Sequence, residues 1–130
     1  GHLLPKERTY TDPAVRHIPL LITGGALKNE YRNKRISYTG NQNDIASTLL
    51  NQMKLPDSAF VWSNDLLNAE RKNFAYLCMD DAIGWVSDSC RFVYHIQQQK
   101  LIYRNPGACS TDSSSSKAYL QKLYKDFLKN

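Results

Sequence analysis

Residues 16–53 decide the fold of this chain, and they read RHIPLLITGGALKNEYRNKRISYTGNQNDIASTLLNQM. The run at residues 18–23 has the length of a strand, and an apolar run without alternation is typical of a strand buried on both faces of a sheet. Pro19 has no amide hydrogen, so it belongs at the first position of that strand or on an edge. Gly24 and Gly25 end the run. The stretch therefore predicts a short buried strand followed by a turn.

A helix is predicted after Gly40. Asn41 is a candidate N-cap, and Asp44 stands three residues later, as in a capping box with Asp in place of Glu. Apolar side chains then recur at helical spacing and form one stripe, which consists of Ile45, Ala46, Leu49, Leu50 and Met53. Pro56 ends the helical region. The pattern predicts an amphipathic helix that packs its apolar stripe onto the rest of the fold.

The middle of the chain predicts two or three antiparallel strands in a row. Residues 73–86 resemble two strands with a kink at Asp80 and Asp81, and residues 91–97 alternate with period two. Residues 100–103 are expected to pair back as a hairpin arm. The preceding residues 57–68 predict a compact connector with four buried side chains, namely Phe60, Trp62, Leu66 and Leu67.

The end of the chain predicts a loop and a final helix. Residues 105–116 are polar and low in complexity, which is typical of a loop, and one of the last serines is expected to cap the helix. The apolar stripe of that helix consists of Tyr119, Leu120, Leu123, Tyr124, Phe127 and Leu128. Together these elements predict an α/β fold class: a short buried strand plus helices, a small antiparallel sheet and a C-terminal amphipathic helix.

Composition narrows the function classes. The chain has 130 residues, with 17 Lys and Arg against 12 Asp and Glu, a net charge of +5. This charge permits attraction to anionic lipid, phosphate or nucleic acid. The basic residues are scattered except for one cluster, Lys28, Arg32, Lys34 and Arg35, which a solvated loop also explains. No apolar run reaches the roughly 18 residues that cross a bilayer. The three cysteines form no zinc-type pair, and their odd number argues against a closed disulfide framework.

The residues alone offer no complete catalytic or metal-binding constellation. His17 and His95 are interpreted as structural histidines, and Asp80 and Asp81 as a solvated bend, because adjacent strand residues point to opposite faces. Asp44 fits a first-turn helix residue that the helix dipole stabilises. Gly24-Gly25 lacks the residues of a phosphate-binding loop. No catalytic and no metal-ligating residue is therefore predicted in this chain.

Four strings in order give the chain a family resemblance: HIPLLITGGALK, GNQNDIASTLLNQM, FVWSNDLLN and FAYLCMDDAIGWVS. They resemble the C-terminal portion of sulfatase-type enzymes of the alkaline phosphatase superfamily, in the lipoteichoic-acid-synthase-like, phosphoglycerol-transferase branch. The final KAYLQKLYKDFLKN fits the same pattern, so the resemblance extends over essentially all of the chain. It implies an alkaline phosphatase-like fold, of which residues 1–130 form a single C-terminal subdomain.

The resemblance also implies an activity for a larger parent protein. In such enzymes a Thr, Ser or formylglycine attacks a phosphate or sulfate ester, and a divalent metal (Mn, Mg, Ca or Zn) stabilises the developing charge. The start GHLLP resembles the end of an Asp-His-Gly-His stretch, so Gly1 corresponds to the motif glycine and His2 is the candidate substrate-binding residue. The nucleophile and main metal ligands are expected upstream. The isolated fragment is expected to be soluble, to lack activity and to bind no metal, whereas the parent is expected to be membrane-anchored with an extracytoplasmic catalytic domain.

The alternative hypothesis is a stand-alone basic module that binds anionic lipid, glycan or nucleic acid, or a dimerisation domain. Under the enzyme hypothesis, the partners are the remainder of the parent and a phosphate or sulfate ester, and no nucleic acid is expected. A fragment without its sheet neighbours is further expected to expose apolar surface around residues 18–22 and to self-associate.

Overall fold

The structure is a computed structural model that describes residues 13–105 and 110–129, with side chains at 15–105 and 114–129. The chain divides into two compact units. We call the described residues of Gly1–His17 and Ala75–Asn130 the sheet unit, and Ile18–Phe74 the helix unit. The predicted mixture of helices with a small antiparallel sheet, broadly an α/β class, is confirmed.

The sheet has four antiparallel strands that are neighbours in the order of the sequence. They are β1 (Phe74–Cys78), β2 (Ala82–Ser87), β3 (Arg91–His95) and β4 (Lys100–Arg104). Side chains of alternating polarity suit these strands, because successive side chains of a strand point to opposite faces of the sheet. The predicted kink at Asp80 and Asp81 is the bend between β1 and β2, and both carboxylates are exposed. In the β3–β4 ladder Val93 opposes Tyr103 and Tyr94 opposes Leu101, so a bulge places one extra residue in β4.

Both faces of β2 and β3 are covered. Phe92 and Val93 are adjacent in β3, so they point to opposite faces, yet both are fully buried. On one face Val93 clusters with Met79 and Ala82. The other face carries Trp85, whose ring meets Tyr119 of the C-terminal helix α2 (Ser110–Phe127) edge-on at 6.1 Å between centroids. Burial on both sides gives this small sheet a continuous apolar core.

The start of α2 corrects the loop prediction for residues 105–116, because the helix already begins at Ser110. Serine is an indifferent helix former, but Ser116 is fully buried and α2 packs against β2. Tertiary packing therefore overrides the weak local propensity. The predicted final helix is confirmed. The apolar stripe is half-buried at Tyr119 and Leu120 but exposed in the last turns, at Tyr124, Phe127 and Leu128.

The prediction of a buried strand at residues 18–23 is wrong for this structure. These residues lie in no strand, and the structure leaves Leu21 86% exposed and Ile18 and Leu20 about half exposed. The physical reason is that no strand lies within the helix unit for them to pair with among the described residues. The predicted apolar exposure around residues 18–22 is present. Residues 35–39 form a connector that is exposed up to Tyr38.

The predicted helix of this unit, α1, spans Asp44–Gln52. The prediction of Asn41 as its N-cap is wrong, because the helix begins later and its N-cap is Asn43, whose side chain makes no capping hydrogen bond. Its end is a Schellman motif in which the Leu55 amide donates to the Leu50 carbonyl (2.9 Å) and the Lys54 amide to the Asn51 carbonyl (3.2 Å). Lys54 takes the left-handed position with φ 57°. The connector after it is made of turns, and there Trp62, Leu66 and Leu67 are half-buried. The predicted burial of Phe60 is wrong: this ring is exposed beside Val61.

Candidate functional site

The face of α1 that is buried consists of polar residues, namely Asp44, Ser47, Thr48 and Gln52. Their spacing of three, one and four residues keeps them on one side of the helix. The predicted apolar stripe points the other way, with Leu49 40% and Met53 47% exposed. The other three residues of the stripe, Ile45, Ala46 and Leu50, are half-buried, so the prediction that the apolar stripe packs inward is correct only in part. The helix unit is organised by hydrogen bonds instead, and the cluster around the buried face is called the polar hub below.

Asp44 is the centre of the polar hub. It is completely buried, and each of its carboxylate oxygens accepts two hydrogen bonds. Oδ2 accepts the Asn41 backbone amide at 2.7 Å, and Oδ1 accepts the Asn64 backbone amide at 2.9 Å. The first bond is the reciprocal arm of the predicted capping box. Buried carboxylates require such donors because transfer of an unpaired charge out of water is very costly.

Ser47 and Thr48 extend the polar hub to the connector that follows the helix. The Ser47 amide donates to the Ser63 hydroxyl at 2.9 Å, and the Ser47 hydroxyl donates back to the Ser63 carbonyl at 3.3 Å. Thr48 Oγ1 donates to the Asp44 carbonyl at 2.6 Å and accepts the Leu66 amide at 2.8 Å. The connector is irregular and has no β-sheet hydrogen bonds of its own. These side-chain bonds supply partners for its backbone groups, which need them where they are buried.

Arg71 closes the polar hub with a buried positive charge. Its Nη1 lies 4.0 Å from Asp44 Oδ2, and its Nη2 donates to the Thr39 carbonyl. Gly40 leaves room for this pair: a Cβ at that position would lie 3.0 Å from Asp44 Oδ2 and 3.1 Å from Arg71 Nη2. Close packing around Gly40 therefore favours glycine at this position, in addition to its place as the break between the connector and the helix.

The helix unit also exposes apolar side chains at its surface. They belong to α1, to residues 18–22 and to the connector, and the exposed ones are Ile18, Leu20, Leu21, Leu49, Met53, Leu55, Phe60 and Val61. A shallow depression of about 230 Å³ is lined mainly by residues 59–63 together with Asn43. Exposed apolar side chains of this kind are the candidate functional feature of the helix unit, and their chemistry is that of packing. They are called its apolar surface below.

The basic cluster is tied to the end of α1. The Lys28 amide donates to Gln52 Oε1 at 3.1 Å, and the Tyr31 hydroxyl donates to the Leu67 carbonyl at 3.3 Å. Lys28, Arg32, Lys34 and Arg35 themselves are all exposed. Burial and the neighbouring carboxylates Glu30 and Asp65 raise the pKa of Tyr31. The solvated-loop interpretation of the cluster agrees with this exposure.

The sheet unit contains an aromatic cluster of Tyr76, Trp85 and Tyr119. Tyr76 lies 5.0 Å from Tyr119 and 6.4 Å from Trp85 between ring centroids. Burial, followed by the nearby Cys78 and the tyrosines of α2, raises the pKa of Tyr76 far above its usual value. Lys117 Nζ lies 4.6 Å above the Tyr94 ring, a cation–π contact that also holds α2 on this face. The cluster fits a packing role.

The predicted site residue His2 lies outside the described residues. His17 is exposed, and His95 is a structural histidine whose Nδ1 accepts the Gln98 amide at 3.3 Å. Asp81 is exposed and accepts a hydrogen bond from Gln97 Nε2 at 3.2 Å. Within residues 13–105 and 110–129, no group of three or more His, Cys, Asp or Glu side chains can hold a metal ion.

Sequence reasoning missed the polar hub. The signal was the composition of α1, DIASTLLNQ, in which the face opposite the apolar stripe carries Asp, Ser, Thr and Gln but no Lys, Arg or Glu. A solvent face of a helix usually carries long charged side chains, whereas short hydrogen-bonding side chains suit a buried polar contact. Arg71 and Ser63, by contrast, are brought to Asp44 and Ser47 only by the fold.

No protein-family model, no curated protein and no solved structure matches this chain. Among the helices of the described residues, none is both long and apolar enough to cross a membrane. Cys90 is buried and disulfide-bonded, and Cys78 is an exposed free thiol. The free thiol of Cys78 agrees with the expectation, drawn from the odd number of cysteines, that they do not form a closed disulfide framework.

Proposed function

We propose that this chain is the C-terminal part of a metal-dependent enzyme of the sulfatase and alkaline phosphatase superfamily, of the phosphoglycerol-transferase kind. In this proposal the parent transfers or hydrolyses phosphate or sulfate esters. The nucleophile and the metal ligands belong to residues upstream of this chain. The role of the chain is to complete the fold around that catalytic part.

The observation that carries the proposal is the orientation of α1. The inner face of this helix buries four polar residues, of which Asp44, Ser47 and Thr48 are hydrogen-bonded and Gln52 keeps a side-chain nitrogen without a partner among the described residues, while Leu49 and Met53 are exposed. Its apolar stripe is then free to pack against a second layer. A domain that functions alone gains nothing from this arrangement, because exposed apolar area costs about 25 cal/mol per Å² relative to burial. A layer of a larger protein gains the burial when its partner is present.

Two further observations support the proposal. The segment GNQNDIASTLL, which carries the resemblance, contains the first residues of α1, and its Asp44 and Thr48, both part of the pattern that the chain resembles, hold the polar hub together. The disulfide at Cys90 agrees with an oxidising compartment, as expected for a parent whose catalytic domain lies outside the cytoplasm.

The natural coding sequence tests the proposal directly. We expect codons for Asp-His immediately before Gly1 and a Thr or Ser nucleophile well upstream. The full-length protein is then expected to hydrolyse an aryl phosphate, phosphodiester or sulfate in the presence of Mn²⁺, and the 130-residue chain is not. A start codon directly before Gly1, or metal-dependent turnover by the chain alone, contradicts the proposal.

His2 is the residue of this chain that we propose to touch substrate. In the full-length enzyme, His2→Ala is expected to lower kcat/KM about 10- to 100-fold, the value of one hydrogen bond to a charged group. His17→Ala is the matched control, because His17 is exposed and lies in the same terminal region of the sequence. Equal kinetics for the two variants remove His2 from the site.

The second candidate is a basic module that binds an anionic ligand, and it rests on the exposed cluster of Lys28, Arg32, Lys34 and Arg35. Binding of the 130-residue chain to phosphatidylglycerol vesicles distinguishes it, with a fourfold Ala variant of the cluster as the control. Vesicle binding that weakens as salt is added, and that the fourfold Ala variant lacks, favours the hypothesis of a basic binding module. Self-association of the chain through its apolar surface is expected under the enzyme hypothesis and is measured by sedimentation.

A further inference from the structure

We propose that the last turns of α2, residues 122–129, bind the surface of a lipid bilayer that contains anionic lipid. The helix lies along that surface and does not cross it. This inference goes beyond the proposed function, because it assigns a binding surface to the sheet unit, and its test involves neither catalysis nor residues upstream of this chain.

The last turns of α2 present an uncovered apolar face. Exposure of the apolar side chains rises along the helix, to 55% at Tyr124, 73% at Phe127 and 80% at Leu128. These residues have the i, i+3 and i+4 spacing that places side chains next to one another on a helix. They form one small apolar face, called the α2 patch below.

The backbone of these turns is hydrogen-bonded within the helix. The Leu128 amide donates to the Tyr124 carbonyl at 3.0 Å, and the Lys129 amide donates to the Asp126 carbonyl at 3.2 Å. Hydrocarbon offers no partner for free backbone groups, so a helical segment suits a bilayer surface better than an extended one does. The α2 patch can therefore contact acyl chains while the amides behind it stay paired.

Lysine side chains lie beside the α2 patch. Lys122, Lys125 and Lys129 follow one another at i, i+3 and i+7, which places them in one row on the helix, and all three are exposed. The carboxylate of this segment, Asp126, is half-buried, and its Oδ1 lies 4.0 Å from Lys129 Nζ. Three lysines and one aspartate give residues 122–129 a net charge of +2. A helix with aromatic and leucine side chains on one face and lysines on another has the composition that binds anionic bilayer surfaces.

The small area of the α2 patch decides between a bilayer and a protein partner. An aromatic side chain buries about 150–250 Å² and leucine somewhat less, so at their exposed fractions the three side chains offer roughly 400 Å². A stable protein–protein interface buries about 800 Å² on each partner. A second copy of the chain would also bring a second row of lysines and another net charge of +5 to the contact. A bilayer needs no such area, because acyl chains surround the patch and headgroup phosphates lie within reach of the lysine side chains.

Co-sedimentation of the 130-residue chain with lipid vesicles tests the inference. The chain is expected to bind mixed phosphatidylcholine–phosphatidylglycerol vesicles at least about 10-fold more tightly than pure phosphatidylcholine vesicles, because anionic headgroups attract the lysine row. The affinity for the mixed vesicles is expected to fall as salt is added. Equal affinity for the two kinds of vesicle, or no binding to the mixed ones, overturns the inference.

A double variant, Phe127→Ser with Leu128→Ser, tests the α2 patch. It is expected to lower the affinity for the mixed vesicles at least about 10-fold, since two apolar side chains no longer leave water. Leu20→Ser with Leu21→Ser is the matched control in the helix unit, where these side chains are 49% and 86% exposed, and it is expected to change the affinity less than about twofold. Circular dichroism checks that both variants fold. Equal losses in the two variants overturn the assignment to α2.

A pair of charge variants tests the lysine row without any change to the apolar side chains. Lys125→Gln with Lys129→Gln is expected to lower the affinity for the mixed vesicles about 10-fold. Lys28→Gln with Lys34→Gln removes the same charge from the basic cluster and is expected to have the smaller effect. A larger effect of the second pair assigns the binding to the basic cluster and overturns the inference.

Sedimentation of the chain without lipid separates a bilayer from a second copy. A dimer that the Phe127→Ser and Leu128→Ser variant dissociates shows that another copy covers the α2 patch, and it overturns the inference. Vesicle binding is independent of catalysis, so a chain that binds no vesicles leaves the proposed enzyme function untouched. Vesicle binding through α2 likewise stands if the full-length protein has no metal-dependent turnover.

Discussion

The two units bury opposite kinds of side chain. In the sheet unit the fully buried residues are mainly apolar, such as Ile83, Phe92 and Val93. In the helix unit the fully buried residues are Asp44, Ser47 and Thr48. The first kind of core gains stability from removal of apolar area from water, and it tolerates imprecise geometry. The second depends on hydrogen bonds that must all be made, since each unsatisfied buried group costs about 1–3 kcal/mol.

The difference shows how each unit holds its interior together. The sheet unit covers both faces of β2 and β3 with its own side chains. The helix unit hydrogen-bonds Asp44, Ser47 and Thr48 internally, leaves Gln52 Nε2 and Arg71 Nε without hydrogen-bond partners among the described residues, and keeps aliphatic side chains such as Leu21 and Met53 at its surface.

The largest expected effect comes from Asp44→Ala. The substitution leaves Arg71 as an unpaired buried charge and leaves the Asn41 and Asn64 amides without their acceptor. Breaking a buried pair in this way costs about 3–5 kcal/mol. We expect the helix unit to unfold at lower urea concentration, and Asp44→Asn, which keeps an acceptor oxygen, to cost less.

Each unit contains one tryptophan, which allows the two to be followed separately. Trp62 lies in the helix unit and Trp85 in the sheet unit. In an Asp44→Ala chain that also carries Trp85→Phe, the remaining fluorescence reports the helix unit alone, and Trp62→Phe gives the reverse. A shift of the Trp62 unfolding transition without a shift of the Trp85 transition shows that the polar hub stabilises the helix unit separately. Coincident shifts of equal size contradict this difference between the two units.

Thr48→Val tests a single bond of the polar hub. Valine has almost the shape of threonine, but it removes the acceptor of the Leu66 amide and the donor to the Asp44 carbonyl. We expect a loss of about 1–3 kcal/mol in the free energy of unfolding, from urea titration of the Trp62 signal. Val86→Thr in β2, where the side chain is half-buried, is the control in the sheet unit. If Thr48→Val stabilises the chain, the hub does not depend on its hydrogen bonds.

How far the sequence predicts these features depends on the range of the interactions. Local periodicity predicts both helices, the bend at Asp80 and two or three antiparallel strands in a row, and the described residues form four such strands. The capping arm from Asp44 to Asn41 is also local. The early start of α2 was not predicted because it depends on packing within the sheet unit, where Ser116 is buried and α2 contacts β2. The local sequence does not show that packing.

The orientation of α1 could not be predicted from hydrophobicity. The apolar stripe was correct as a stripe, but the side that packs inward is decided by Ser63, Asn64 and Arg71, which lie 16, 20 and 27 residues away from their partners on the helix. In the sequence, only the lack of long charged side chains in α1 indicated that the polar face of the helix is buried. Likewise, residues 18–23 have strand composition, but a strand needs a neighbour, and none is supplied within the helix unit as described.

Lys54→Gly is expected to have a smaller and favourable effect. Lys54 holds the left-handed position of the Schellman motif with φ 57°, which costs a non-glycine residue about 1 kcal/mol. Glycine removes that strain, and we expect the Trp62 transition to move to higher urea by about 0.5–1 kcal/mol after the entropy of the unfolded chain is subtracted. Lys54→Ala is the control, because it keeps the strain and removes only the charge. If glycine instead lowers the free energy of unfolding, the Lys54 side chain stabilises the helix unit by more than the strain of its positive φ costs.

Leu49→Gln is expected to have the smallest effect on the isolated chain, and it separates the two faces of α1. Leu49 is 40% exposed and lies on the outer stripe, so its replacement should change the free energy of unfolding by no more than about 0.5 kcal/mol. Glutamine keeps a similar length and helix propensity. In the full-length protein the same substitution is expected to cost more, about 1–3 kcal/mol, because the stripe then lies against another layer. Thr48→Val, on the opposite face of the same helix, should lower stability in both. If Leu49→Gln is as harmful in the isolated chain as in the full-length protein, the outer stripe already has its partner within these 130 residues.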